Sequence, residues 1–362
     1  MQSRLSPENI TVRWARADEI GALCDLFAIS YASSEGFEEL SERYLQIWRW
    51  KFTENPDWPN GHPPIIVCEA DGRLIGQRPT MPFVLQTPGH ALEAGWAVDF
   101  CVARDVRNMG VGRQLLSAWL ERECVYAALG SNPPAIYLYR KMGLLEVRGV
   151  RNMLCVCRPV LSQLRAAGSR RRLYLAAVSV HKACRRPAAS GEVVVEEVSD
   201  LLHDLADFLR PAQRSFAFVA RRTMATLRWR YLDAPHHRYR LAVARGHTGV
   251  RGYAVFRTGR EYGGLPGGRI VDIMARSNDA EAWSSLVAFV LERLRADRVC
   301  VVRCRASAPG LLEALGRHGF AAQRTSPSFF VSGQVLGTGG EDVRDARNWH
   351  VTYGDSDAEA VL

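Results

Sequence analysis

Sixteen residues, Val98 to Arg113 (VDFCVARDVRNMGVGR), constrain the fold of this chain more than any other stretch. The apolar run Val98, Phe100, Cys101 and Val102 fits a strand enclosed on both faces. Arg107, Asn108, Met109, Gly110, Val111 and Gly112 then lead into Leu115, Leu116, Trp119 and Leu120 at helical spacing, so a tight turn joins strand to helix. The first turn of a helix presents N–H groups that have no internal partner, and the helix dipole adds positive potential there. Gly110 and Gly112 let a pyrophosphate approach those amides closely, with the Arg107 cation beside them.

Other phosphate loops fit less well. A Walker loop ends in Gly-Lys-Ser/Thr and a dinucleotide fingerprint needs GxGxxG; this segment has only RxxGxG. Downstream, Ser131-Asn132-Pro133-Pro134 precedes Leu138-Tyr139-Arg140-Lys141-Met142-Gly143-Leu144. Upstream, Thr11 to Asp18 followed by Ile20, Leu23, Leu26 and Phe27 reads as strand then helix, and Ile65 to Gly76 with Asp71-Gly72 at its centre reads as a hairpin. Together these segments, over about residues 10 to 157, resemble the GNAT superfamily of N-acetyltransferases. Its second signature is an Asn leading to a helix that ends in Leu-Tyr-x-Lys-x-Gly-Phe, here with Leu144 in place of Phe. The resemblance implies an α/β (α+β) fold, a mixed central sheet flanked by helices. It also implies acetyl-CoA as co-substrate, with the pyrophosphate over Asn108, Met109, Gly110, Val111, Gly112 and Arg113, next to Arg107. The backbone of Phe100, Cys101 and Val102 would meet the pantetheine arm.

With 362 residues and 47% apolar content, the chain has room for two domains, each with its own core. The longest candidate membrane stretch, Leu173 to Val180, is too short to span, and Met1 to Arg13 lacks a signal-peptide apolar region. Nine scattered cysteines with no CxxC pair read as reduced core residues of a cytoplasmic protein; neither they nor the nine histidines cluster as a metal site. The net charge of +9 invites a nucleic-acid reading, but arginine fills 44 of the 47 basic positions, a skew expected of coding bias. Arg158 to Arg186 holds eight basic residues and no acidic one, which reads as a basic linker before an RNA contact.

Arg49-Trp50-Lys51-Phe52-Thr53-Glu54-Asn55-Pro56 aligns with Arg228-Trp229-Arg230-Tyr231-Leu232-Asp233-Ala234-Pro235, an offset of 179. Val98-Asp99 against Val271-Asp272, and Gly143-Leu144 against Gly319-Phe320, keep the same order, which marks an internal repeat. The expected organisation is a GNAT domain over 1–158, a basic linker over 159–191, a degenerate GNAT-like copy over 192–335 and a tail over 336–362. In the second copy Arg107, Gly110 and Gly112 align with Ala280, Trp283 and Ser285, Asn132 with Ala308, and Tyr139 with Leu315, so the copy is expected to lack the phosphate site and the proton donor.

Acetyl transfer needs a deprotonated amine, a polarised carbonyl and a protonated leaving thiolate. The resemblance gives Tyr139 as general acid and places Asn132, which leads the same signature, among the catalytic residues. Asp99 is a candidate base, with Glu93 and a water chain as competitors, and its match in Asp272 favours a structural aspartate instead. Cys101 reads as a small core residue and His62 as a solvated loop histidine. Trp48, Trp50, Phe52 and Trp58 form an aromatic patch on the expected acceptor side, for which packing is the simpler account. Asp355 and Asp357 read as solvated tail charges that could otherwise meet a cationic substrate. The leading expectation is transfer from acyl-CoA to a small-molecule primary amine, such as an amino sugar, an aminoglycoside or a polysaccharide precursor, without a membrane. A nucleic-acid partner is the weaker expectation. Alternatives are a peptidyl transferase using aminoacyl-tRNA and a non-catalytic coenzyme A sensor; the acceptor, acyl length and oligomeric state stay open.

Overall fold

The structure is a computed structural model that describes residues 10–31, 37–58, 62–122, 124–158, 192–261, 265–333 and 342–357. The expected linker, its short helix near Leu173 to Val180 and the Gly337–Gly340 loop lie outside the described residues.

The first half runs β1 (Thr11–Trp14), α1 (Ile20–Tyr31), α2 (Phe37–Phe52), β2 (Ile65–Ala70), β3 (Arg73–Gln86), β4 (Ala91–Ala97) and β5 (Cys101–Val102). It continues with α3 (Val111–Leu120), β6 (Val125–Leu129), α4 (Pro133–Lys141), β7 (Leu145–Glu146) and β8 (Arg151–Val156). The expected hairpin forms, β2 pairing antiparallel with β3 across Asp71-Gly72. Ile20, Leu23 and Cys24 on α1 and Leu115, Leu116 and Trp119 on α3 are buried at the spacing that the sequence set for them.

The second half repeats this order: β9 (Val194–Val198), α5 (His203–Gln213), β10 (Phe218–Ala220), α6 (Met224–Leu227) with a π-turn over Arg228–Leu232, β11 (Arg240–Gly246), β12 (Gly249–Glu261) and β13 (Leu265–Ala275). Then follow α7 (Ala280–Ala296), β14 (Val301–Ala306), α8 (Pro309–Arg317), β15 (Ala321–Ala322), β16 (Phe329–Val331) and β17 (Trp349–His350). Two mixed sheets result, flanked by helices, and their strand orders match: β1-β2-β3-β4-β6-β16-β7 and β9-β11-β12-β13-β14-β8-β15.

Those orders contain a reciprocal exchange. Strand β8 leaves the first half and pairs with β14 and β15, with Val156 opposite Val301 and Leu154 opposite Ala321. Strand β16 returns the exchange, setting Phe330 between Ala128 of β6 and Glu146 of β7. Met153 and Cys155 thus join the second core, while Phe329 and Val331 join the first. The segment 151–158, assigned with the first half on sequence, belongs by hydrogen bonding to the second sheet.

The repeated aromatic segments meet between the halves. Trp50 and Trp229 stack with ring centroids 4.6 Å apart, and each indole N–H donates to the other's backbone carbonyl, at 2.8 and 2.9 Å. This reciprocity is that of a local two-fold axis. The tail also crosses the junction: β17 pairs with β10, which itself pairs with the end of β3, and Gly354 N–H donates to Val271 O. A side chain at Gly354 would collide with the Tyr231 hydroxyl and the Asp272 side chain, so the close approach demands glycine. Among the described residues no helix is long and apolar enough to cross a membrane.

Candidate active site

Strands β4 and β6 pair in parallel only over Ala94–Trp96 and Val125–Ala127. Asp99 then takes a left-handed backbone, φ +45°, which breaks the strand before Cys101 and Val102. Beyond the break, β5 pairs with β3 alone, Cys101 opposite Gln77 and Val102 opposite Gly76. One edge of β5 therefore has no strand partner among the described residues, although β4, just before the break, pairs with β6.

The helix start follows β5 in the chain. Gly110 caps α3 in the left-handed region (φ +85°), where a side chain is strained, and the space around its Cα is open. Arg113 N–H, bonded to Gly110 O at 3.0 Å, begins the helix ladder, so the amides of Val111 and Gly112 precede it. Asn108, Met109 and Arg113 are exposed around them. Arg107 reaches back to Val102 O (3.3 Å) and Ser30 O (3.2 Å), fastening the loop to β5 and to α1.

Tyr139 is buried on α4. Its hydroxyl is hydrogen-bonded at 3.2 Å to that of Tyr126 on β6. Phe330, from the exchanged strand β16, packs against the Tyr139 ring at 5.6 Å. Asn132 caps α4, its side chain accepting from Ala135 N–H at 3.0 Å. Fully buried Arg78 lies over both the Tyr126 ring (4.6 Å) and the Phe100 ring (4.8 Å), so its guanidinium lies against β6 and the residue that precedes β5. Neither Arg78 nor Tyr126 was identified from the sequence; a lone arginine in an apolar strand carries no motif.

Asp99 meets a partner that was not foreseen. Lys51 Nζ, 2% exposed, donates to Asp99 Oδ2 at 2.8 Å and to Asp357 Oδ2 at 2.9 Å. Burial opposes the lysine charge, but the two carboxylates outweigh it and hold its pKa above the usual value. Burial also raises the Asp99 carboxyl, and the Asp357 charge outweighs part of what Lys51 takes back. Glu93 is exposed on β4, opposite Val84 and away from this group. Burial pushes the Cys101 thiol up to about 12, that of a core residue rather than a nucleophile.

The tail carboxylates are not solvated, which corrects the sequence expectation. Asp357 bonds Lys51, and Asp355, 2% exposed, receives Arg222 at 2.9 Å. They compensate buried cations, one in each half. Trp48, Trp50 and Phe52 are buried in the core, the packing role that the sequence favoured for this aromatic patch. His62 is half-buried against Trp14 at 4.8 Å and Trp58 at 5.6 Å, not solvated.

The second half differs at each matching point. Helix α7 starts at Ala280, so the residue in Gly110's capping place is Asp279, and Trp283 lies inside the helix. Asp279 accepts from Ala282 N–H at 3.0 Å and, with Glu281, binds Arg251. Trp283 is completely buried and donates to Arg276 O at 3.0 Å. Asp272, aligned with Asp99, takes hydrogen bonds from Tyr253 (2.8 Å), Thr352 (3.0 Å), Tyr231 (3.1 Å) and Arg222 (3.3 Å). Burial would raise its carboxyl, but Arg222 and these donors bring it down to about 2.

The family model described as an acetyltransferase (GNAT) domain matches residues 61–143. Among solved structures, a GCN5-related N-acetyltransferase from Anabaena variabilis is similar, with 15% identity and a TM-score of 0.60, covering 89% of this chain and 72% of its own. The N-myristoyltransferase of Saccharomyces cerevisiae with bound myristoyl-CoA aligns with 12% identity and a TM-score of 0.54, over 92% of this chain and 85% of its own. Eis1 from Mycobacterium abscessus aligns with 15% identity and a TM-score of 0.54, over 89% and 73%. No curated protein matches the sequence.

Proposed function

Given a chain that carries an acetyltransferase domain of the GNAT family, we propose that its first half transfers an acetyl group from acetyl-CoA directly to a primary amine of a small molecule, in a ternary complex. Amino sugars, aminoglycosides and polysaccharide precursors are the acceptor classes. The observation that carries this reading is the pairing of a glycine-capped helix start with a strand, β5, that has a strand partner on one side only among the described residues.

The pyrophosphate sits over Asn108 to Arg113 at the positive end of α3, where the amides of Val111 and Gly112 precede the helix ladder. The backbone of Phe100–Val102 orients the pantetheine arm and thioester. Asp99, its carboxyl raised by burial and so nearer neutrality, takes the proton of the attacking amine. The new C–N bond forms as the C–S bond breaks, and the Tyr139 hydroxyl protonates the departing sulfur, with Tyr126 holding the phenol in place. The buried cation of Arg78 lies beside Tyr126 and favours negative charge developing there.

Calorimetric titration with acetyl-CoA, followed by a thiol-release screen over amines, tests the proposal. Gly110→Asp sets a carboxylate where the pyrophosphate would bind and is expected to weaken acetyl-CoA binding by roughly 100-fold or more, with the melting temperature as the control for the strain a side chain meets there. Tyr139→Phe should keep the affinity and lower kcat by roughly 100-fold. Absence of binding by the parent protein would overturn the reading.

A further inference from the structure

Away from the proposed transfer chemistry, the second half and the end of β3 enclose a groove. It measures about 420 Å³ and opens between α5, the end of β3 and the segment after β10, a volume suited to a small organic ligand. Four arginines line it, Arg210, Arg214, Arg221 and Arg222, and among the described residues no carboxylate does. Two of these charges are answered from outside the groove: Arg222 by Asp272 and Asp355, and Arg221 by Asp57 at 3.7 Å. Arg210 and Arg214 are exposed and make no ion pair among the described residues. They stand one turn apart on α5, where like charges repel. The helix C-terminus favours a cation, but that effect does not account for four.

The arginine segment is held in place rather than loose. Gln213 on α5 accepts from Arg222 N–H at 2.6 Å and donates to Arg222 O at 2.9 Å, while Arg221 N–H donates to Val84 O at 2.7 Å. Leu209 and Met224 give the groove an apolar wall. We propose that this groove binds a small organic oxyanion, a phosphomonoester or carboxylate on an apolar body, with the guanidinium groups gripping the oxyanion in the bidentate manner arginine allows. Gln86 of the groove is nine residues along β3 from Gln77, which pairs with Cys101, so the two sites are roughly 30 Å apart along the strand.

Calorimetry with phenyl phosphate and with phenylacetate on the full chain tests this, comparing the parent with the Arg210→Ala/Arg214→Ala double variant. Both changes are exposed, and the melting temperature serves as the folding control. At least one probe should bind saturably to the parent, at least tenfold more weakly to the double variant, and undiminished to Gly110→Asp; acetyl-CoA affinity should be the same in the parent and the double variant. Which probe binds more tightly identifies the oxyanion. The proposal is overturned if neither probe saturates in the millimolar range, if the double variant binds as well as the parent, or if coenzyme A displaces the probe.

Discussion

Asp99 and Asp272 stand at matching points of two sheets with the same strand order, yet they are in opposite electrostatic states. Asp272 is gripped by an arginine, two tyrosines and a threonine, and its carboxyl is held down to about 2. Asp99 shares one lysine with Asp357, and burial leaves its carboxyl raised. The helix starts differ in the same sense: Asp279 fills its own α7 cap and pairs with Arg251, whereas Gly110 leaves the α3 amides to an outside partner. A fold of this kind becomes a structural support when its polar groups satisfy one another, and it stays competent for ligands where they are left short of partners.

The largest test of that contrast is Arg222→Met. It leaves Asp272 and Asp355 buried without their cation and should cost about 3–5 kcal/mol of stability, read from urea midpoints. A second test is acid titration. The lowered pKa of Asp272 contributes stability that is present above its unfolded value of 3.8 and is lost as the pH falls through about 2. The contribution is about 2 kcal/mol, and Asp272→Asn should flatten this limb. The third test is on the other side of the comparison, where Lys51→Met also leaves Asp99 and Asp357 without their cation and should lower the urea midpoint as well. Lys51→Met removes the charge that restrains the Asp99 carboxyl, so the acid limb of kcat/KM should move to higher pH. A limb that stays in place would rule out Asp99 as the base.

The local features were legible in the sequence. The strand–loop–helix at Val98 to Leu120, the Asp71-Gly72 hairpin and the α4 cap at Asn132 each depend on residues only a few positions apart. The repeat led to the second half because Trp50 and Trp229 fill one packing role twice. Trp283 was misassigned to the cap because the alignment shifted by four residues where the loops differ in length, and only the α7 start at Ala280 corrects it. The exchange of β8 and β16 was illegible, since an apolar strand has the same pattern whichever sheet takes it. The bond of Lys51 to Asp357, 306 residues away, was equally hidden. The sequence does carry one signal of it: in a chain that uses arginine at 44 of 47 basic positions, a lysine at 51 opposite Arg230 in the repeat marks a place for a compact charge.

The exchanged strands also bear on how the protein is made. Residues 125–146 supply β6 and β7, but Phe329–Val331, which lies between them, is translated more than 180 residues later. At ordinary rates of synthesis the first sheet waits roughly 10–40 s with a slot beside Ala128. Tyr139, packed on Phe330, gains its wall only when the slot is filled. The half that bears the proposed chemistry is thus completed by the half that does not, and the emerging chain has to guard an unpaired edge until then.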